Sequence, residues 1–290
     1  MKEAPPLKVW VIAVGMVVLI YTFFYCCILF NPYLYFKLNK KVERVLEEQA
    51  KDKRDSLLSI VLIGSSITQM GIEENAFFQE KGKNTIKINV CKITQAQAYL
   101  EQFTLHSNAF SLLLKHPPKI LFIEENLFYN ISDVPDLGTQ IIRKSIYIFN
   151  QVKKNPINSG NDIVLVPQKR DTVALNDYID SIKVNRKVRI FKDNSLFHTY
   201  LDQLKKKGTK IIILNFPRPW PIEISIHSGP KEKDFQNLLA FYKAKYDVDY
   251  WKFNSPLFFF YFQDRAHLNE NGREVYSNGL LGKIKKGDLN

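Results

Sequence analysis

Four short runs in this chain are rich in apolar, β-branched residues, and all but the second lack polar alternation: Ser59–Ile63, Thr85–Val90, Lys119–Ile123 and Lys210–Leu214. A weaker fifth run covers Asp247–Phe253. A strand with one wet face alternates apolar and polar residues. Runs without that alternation suit strands buried on both faces, as in a parallel sheet covered by helices. Helical spacing fills the intervals: Ala96, Leu100, Phe103 and Phe110, then Leu196, Tyr200, Leu201 and Leu204, then Phe235, Leu238, Leu239 and Tyr242. This alternation predicts a three-layer α/β/α sandwich with a mostly parallel five-stranded sheet over residues 57–282. Residues 130–190 show no such pattern and are punctuated by Pro135, Pro156, Gly160 and Pro167. They read as an insertion over one end of the sheet, in the position of a substrate lid.

Composition excludes several classes. The chain has 290 residues, 46% hydrophobic and 13% aromatic, too apolar for intrinsic disorder. Three cysteines, with Cys26 and Cys27 adjacent, make no disulfide framework. No Cys/His spacing suggests a zinc site, and no metal or cofactor is expected. Lys+Arg number 41 against Asp+Glu 29, a net charge of +12, but the excess is scattered. A nucleic-acid partner is not expected, and anionic glycans or lipid headgroups fit the charge better.

The N-terminus reads as a membrane anchor. Residues 1–8 form a short tail. Val9–Phe30 carries no charge, and as a helix it is about 33 Å long against a hydrocarbon core of about 30 Å. Trp10 stands at one end and Tyr33, Tyr35 and Phe36 at the other, where amphipathic rings favour the interface. The run is too long for a signal-peptide core, and no small-residue cleavage site follows. Pro32 ends the helix, and residues 31–56 read as a charged, solvated stalk. Residues 283–290 form a basic tail. Lys37, Lys40, Lys41 and Arg44 after the span taken alone place the domain in the cytoplasm, although long domains often translocate regardless of such charges.

In an open parallel sheet the chemistry lies beyond the carboxyl ends of the strands. After the first run comes Gly64-Ser65-Ser66-Ile67-Thr68, a turn opening a helix. It offers the Ser66 hydroxyl and free backbone N–H groups at a positive dipole end; it also reads as a simple N-cap. After the fifth run comes Asp264-Arg-Ala-His267-Leu268-Asn269. Asp three residues before His can hold Nδ1–H and leave Nε2 free to take a proton from a hydroxyl. Asn126, after Glu124-Glu125, is placed to donate to an oxyanion or to close a turn. In Phe216-Pro-Arg218-Pro-Trp220-Pro221, after the fourth run, Arg218 suits an anion and Trp220 a sugar ring; the alternative is a rigid loop whose Trp covers the core. The aromatic run Leu257–Phe262 reads as core in preference to an acyl pocket.

This pattern resembles the SGNH (GDSL-type) hydrolase superfamily. Its members carry a Gly-Asp-Ser turn after strand one, an Asn after strand three and Asp-x-x-His near the C-terminus. Here Ser65 replaces the Asp, and Thr94 stands near the place of a Gly whose N–H completes the oxyanion hole. Glu124 and Glu125 replace small residues, and a carboxylate beside an oxyanion is unfavourable unless it points away. The resemblance implies Ser66, His267 and Asp264 as the catalytic set, and Ser66, Asn126 and Thr94 as oxyanion donors. The Gly-Ser-Ser variant behind one span is similar to membrane-anchored proteins of cell-envelope polymer acylation, such as the teichoic acid D-alanine transfer protein and alginate-type O-acetylation proteins. That implies a domain outside the cytoplasmic membrane, an acylated glycan or related polymer as substrate, and a membrane-bound O-acyltransferase as partner. A non-catalytic accessory subunit and a membrane-associated lipase or thioesterase are the alternatives.

Overall fold

The computed structural model describes residues 6–30, 40–51, 57–73, 87–95, 98, 100–104, 107–131, 186–188, 195–228 and 230–285. Five strands form one parallel sheet: β1 (Leu57–Gly64), β2 (Lys87–Thr94), β3 (Ile120–Glu124), β6 (Lys210–Leu214) and β7 (Asp249–Trp251). Their order is β2-β1-β3-β6-β7. Every neighbouring pair in it is parallel, with Ile60 opposite Ile120 and Ile212 opposite Asp249. The chain winds outward from β1 in both directions, so the strand order reverses between β1 and β3. The carboxyl edge at that point opens a crevice.

The sheet explains the missing alternation. Ile60, Leu62, Ile120, Phe122, Ile212 and Leu214 join one buried cluster with Ile67, Tyr276, Leu280 and Leu281. The residues between them, Val61, Ile63, Leu121, Ile123, Ile211 and Ile213, point to the opposite face and are equally buried. The first face carries α3 (Ser66–Gly71) and the C-terminal helix α9 (Glu270–Lys285). Further helices among the described residues are α4 (Leu100–Thr104), α5 (Ala109–Lys115), α6 (Ser195–Lys206), α7 (Trp220–His227) and α8 (Pro230–Tyr246). Phe110, Phe197, Phe128 and Tyr242 interlock at centroid separations of 5.7 to 6.2 Å and tie α5, α6 and α8 together.

Two sequence readings change. Residues 40–51, expected as part of a solvated helical stalk, do form a helix, α2 (Lys40–Lys51), but it is docked on the domain. Its Leu46 is only 1% exposed, and the helix packs against β2 and α5. The charges line one face, and the sparse apolar residues suffice to dock the other. The domain's packed body therefore begins before residue 57. The second change concerns the insertion. Residues 132–185 and 189–190 of the expected segment lie outside the described residues. Its two ends are joined by an antiparallel pair, β4 (Tyr129–Ile131) with β5 (Arg186–Val188), in which Tyr129 opposes Val188.

Residues Leu7–Phe30 form helix α1, in a unit separate from the domain. Its described apolar side chains are exposed: Leu7, Val11, Met16, Leu19 and Phe23 are among them. A membrane-spanning helix needs roughly 20 predominantly apolar residues. Among the described residues, no helix is long and apolar enough to cross a membrane.

Candidate functional site

Ser66 is the first residue of α3, directly after β1. Its hydroxyl oxygen lies 2.9 Å from His267 Nε2. On the other side of the ring, Nδ1 lies 2.7 Å from Asp264 Oδ2. A carboxylate only accepts, so Nδ1 carries the proton and Nε2 is left with its lone pair toward Ser66. The second carboxylate oxygen, Oδ1, accepts the backbone N–H groups of Ala266 at 2.7 Å and His267 at 2.8 Å. Burial alone raises the Asp264 pKa. The hydrogen bonds from the His267 ring and from these two amides outweigh it and hold the carboxyl at about 2. Asp264 is therefore ionised at any working pH. The loop that carries the pair is pinned on both sides. Gln263 N–H donates to His267 O at 2.8 Å, and Asn269 Nδ2 donates to Phe260 O at 2.6 Å.

The Glu124 carboxylate shapes the serine turn. It ends β3, is 1% exposed, and reaches across to β1. It accepts Ser65 N–H at 2.6 Å, Ser65 Oγ–H at 2.7 Å, Thr68 Oγ1–H at 2.6 Å and Thr68 N–H at 3.3 Å. The Ile67 N–H in turn donates to Ser65 Oγ at 3.2 Å. The amides of Ser65, Ile67 and Thr68 are thereby engaged, while no partner for the Ser66 amide is described. Gly64 makes the arrangement possible, because a Cβ there would run into Thr68 and the Glu124 carboxylate. A carboxylate here is unfavourable to an oxyanion unless it points away, and the Glu124 carboxylate is taken up by Ser65 and Thr68. Its usable signal was the pairing of a Ser at position 65 with a carboxylate at the end of the neighbouring strand.

Glu125 faces the opposite way. It is buried, and its Oε2 accepts Asn215 Nδ2 and Tyr250 O–H, each at 2.9 Å. Helix α7 (Trp220–His227) brings two more charges to this side. His227 Nε2 is 3.0 Å from Glu223 Oε1, and Nδ1 is 2.9 Å from Glu232 Oε2. Both ring nitrogens face carboxylates, so both donate and the ring is an imidazolium. Burial opposes that charge. The bonds to Glu223 and Glu232, with Glu125 nearby, override burial and raise the His227 pKa to about 9.

The remaining expected residues fall as follows. Asn126 lies in a single 3₁₀ turn after β3, half-buried, and its Oδ1 accepts Arg218 Nη2 at 3.2 Å. Arg218, expected to meet a substrate anion, is thus engaged within the protein. Thr94 ends β2 opposite Gly64, and it is the next residue, Gln95, whose N–H donates to Gly64 O at 3.1 Å. No hydrogen bond is described between Thr94 and the Ser66–His267–Asp264 line. Trp220 is 39% exposed. The aromatic run divides: Leu257 and Phe262 are buried, while Phe258 and Phe260 are exposed and stacked at 6.4 Å. Among the described residues, no cluster of His, Cys, Asp and Glu is arranged to hold a metal.

No protein-family model matches the chain, and neither does any curated protein. Solved structures give loose likenesses. A Bacteroides fragilis protein provisionally called an acylhydrolase is 15% identical, with 84% of this chain and 95% of that chain covered and a TM-score of 0.41. The protein TesA is 10% identical, with 79% and 98% covered and a TM-score of 0.39. An alpha/beta hydrolase enzyme from the metagenome of Lake Arreo, Spain, is 11% identical, with 79% and 95% covered and a TM-score of 0.36.

Two outcomes follow from the geometry of the site. Glu124→Gln keeps the volume but turns an N–H₂ toward groups that donate, leaving buried polar atoms unmatched at about 1–3 kcal/mol. Urea unfolding should show that loss, and an unchanged midpoint would mean the carboxylate is not needed. The His227 contribution depends on pH. A folded pKa of about 9, raised from 6.5, stabilises fully below 6.5 and ceases to do so as the pH rises through 9. The stability gap between the unaltered chain and His227→Gln should therefore be widest at acid to neutral pH and close above 9. A gap independent of pH would show that His227 is not the charged member of this cluster.

Proposed function

We propose that this protein is a serine esterase or O-acyltransferase working through an acyl-enzyme. One observation carries the reading: the unbroken line from Ser66 Oγ through His267 to Asp264, at 2.9 and 2.7 Å. A decorative loop histidine has no need of a hydroxyl on one nitrogen and an ionised carboxylate on the other. An accessory subunit that only binds polymer has no need of the arrangement either, and this favours the catalytic reading.

In the proposed reaction Ser66 Oγ attacks the acyl carbonyl as His267 Nε2 takes its proton. Asp264 holds the ring and stabilises the imidazolium. The Ser66 N–H and Asn126 Nδ2 receive the negative charge on the carbonyl oxygen, and each such donor is worth about 10²–10³ in rate. Thr94 is the remaining candidate donor. His267 then returns the proton to the departing alcohol or thiol, leaving the acyl group on Ser66. An acceptor hydroxyl completes the cycle: water yields an esterase, a sugar hydroxyl an acyltransferase.

The substrate we propose is an acyl ester of a cell-envelope polysaccharide or related polymer. The net charge of +12 and the exposed Trp220 at the active edge support a glycan carrying anionic groups. We further propose, from the uncharged run Val9–Phe30, that the N-terminal segment is a single-pass anchor in the cytoplasmic membrane and holds the domain outside, beside a membrane-bound O-acyltransferase. A reporter fused to the C-terminus should be active only outside the membrane, and activity confined to the cytoplasm would reverse the orientation.

A fluorophosphonate probe should label Ser66, and Ser66→Ala should abolish the labelling. Mapping of the label to another serine would sink the assignment. Asp264→Asn should fold normally yet lose on the order of 10⁴ in kcat on a small aryl acetate, since the amide holds the wrong tautomer (a magnitude carried over from another triad). Because coupled members act as one unit, adding Asp264→Asn to His267→Ala should reduce kcat little further. Full multiplication of the two losses would uncouple the pair.

A further inference from the structure

We propose that Arg218 is a positioning residue for Asn126: the guanidinium holds the amide oxygen and so turns the amide N–H₂ group toward the oxyanion. This rests on the serine mechanism above. Arg218 Nη2 lies 3.2 Å from Asn126 Oδ1. A guanidinium has donors only, and an amide has one end that accepts and one that donates. The pairing therefore fixes which end of Asn126 faces Arg218, and the N–H₂ group must point elsewhere. A free amide can turn over. Turned over, it presents lone pairs to a developing oxyanion and opposes the reaction it should assist. The positive charge behind the oxygen also polarises the amide and strengthens its N–H donors.

The rest of the neighbourhood holds both partners of this contact. Pro217 and Pro219 flank Arg218 and restrict its loop. The Arg218 backbone N–H donates to Glu223 Oε2 at 3.0 Å, which anchors the arginine's side of the pair. The asparagine's side is anchored by Glu125, the residue before Asn126. A single group bridges the two carboxylates: Asn215 Nδ2 donates to Glu125 Oε2 at 2.9 Å and to Glu223 Oε1 at 3.1 Å. Glu223 is in turn held by the His227 imidazolium at 3.0 Å. Arg218 and Asn126 thus hang from one buried network that fixes their spacing. No carboxylate pairs with the Arg218 guanidinium among the described residues, and its Nε is buried without a partner. Its charge is not spent on an ion pair, and the contact to Asn126 is the one its side chain is described as making.

The test uses the full chain in detergent with two aryl esters of one leaving group, a neutral acetate and an anionic hemisuccinate. Arg218→Met should lower kcat on both esters by about tenfold to a hundredfold, the scale of a small misplacement of a catalytic group, with KM little changed. In an Asn126→Ala background the same substitution should add almost nothing, because the residue it acts through is gone. Arg218→Lys, which restores one donor, should recover part of the loss; if Arg218→Met does not fold, Arg218→Lys against the unaltered chain carries the same comparison in both backgrounds. Unchanged kcat on the neutral ester, with KM raised on the anionic ester alone, would make Arg218 a reader of substrate charge and overturn the proposal. So would losses that multiply fully with Asn126→Ala. Ser66→Ala separates the two levels: turnover that survives it refutes the serine mechanism itself, whereas an effect of Ser66→Ala without one of Arg218→Met refutes only the positioning role.

Discussion

The pairing of β1 with β3 sets everything that follows at the carboxyl edge. Ile63 lies opposite Ile123 in that ladder, so Gly64 and Glu124 emerge side by side. A buried carboxylate is expensive unless its oxygens are met by donors. Glu124 meets two backbone N–H groups and two hydroxyls from Ser65 and Thr68. Its charge also sits at the first turn of α3, where the backbone dipoles favour an anion. The result is a rigid turn in which the one first-turn amide left over belongs to Ser66.

Glu124 and Glu125 show how one strand end serves two purposes. Successive residues at the end of a strand point to opposite sides. Glu124 is directed to β1 and the serine turn. Glu125 is directed to the end of β6 and to β7, where Asn215, just after β6, and Tyr250, within β7, donate to it. The two carboxylates are adjacent in sequence, yet each has its own set of donors. Asn126 follows immediately, so the residue proposed to face the oxyanion lies beside both sets.

Much of this was legible in the residues. The runs located all five strands of the sheet to within a few residues, and those of β1, β3 and β6 lack alternation because both faces are buried. The Lys210–Leu214 run coincides with β6, whereas Thr85–Val90 lay too early by a few residues because Lys92 interrupts the apolar part of β2. Asp264-x-x-His267 was readable because the two residues share one turn and need no tertiary knowledge to meet. The contacts that escaped are those made across the fold. Nothing local marks Glu124 as the partner of a residue fifty-nine positions away, or Arg218 as the partner of Asn126 ninety-two positions away. The docking of helix α2 escaped for a related reason: it rests on a few apolar side chains, Leu46 the most buried of those described, among many charges.

The short β4–β5 pair has a different kind of consequence. It begins at Tyr129, three residues beyond Asn126, and closes at Val188. The chain between them leaves and returns at this one pair. Closing a loop twice as long is penalised by only about 0.6 kcal/mol. Such a neck lets a lineage lengthen, trim or exchange the segment while the chemistry beside it is inherited unchanged, so that selectivity can diverge faster than mechanism.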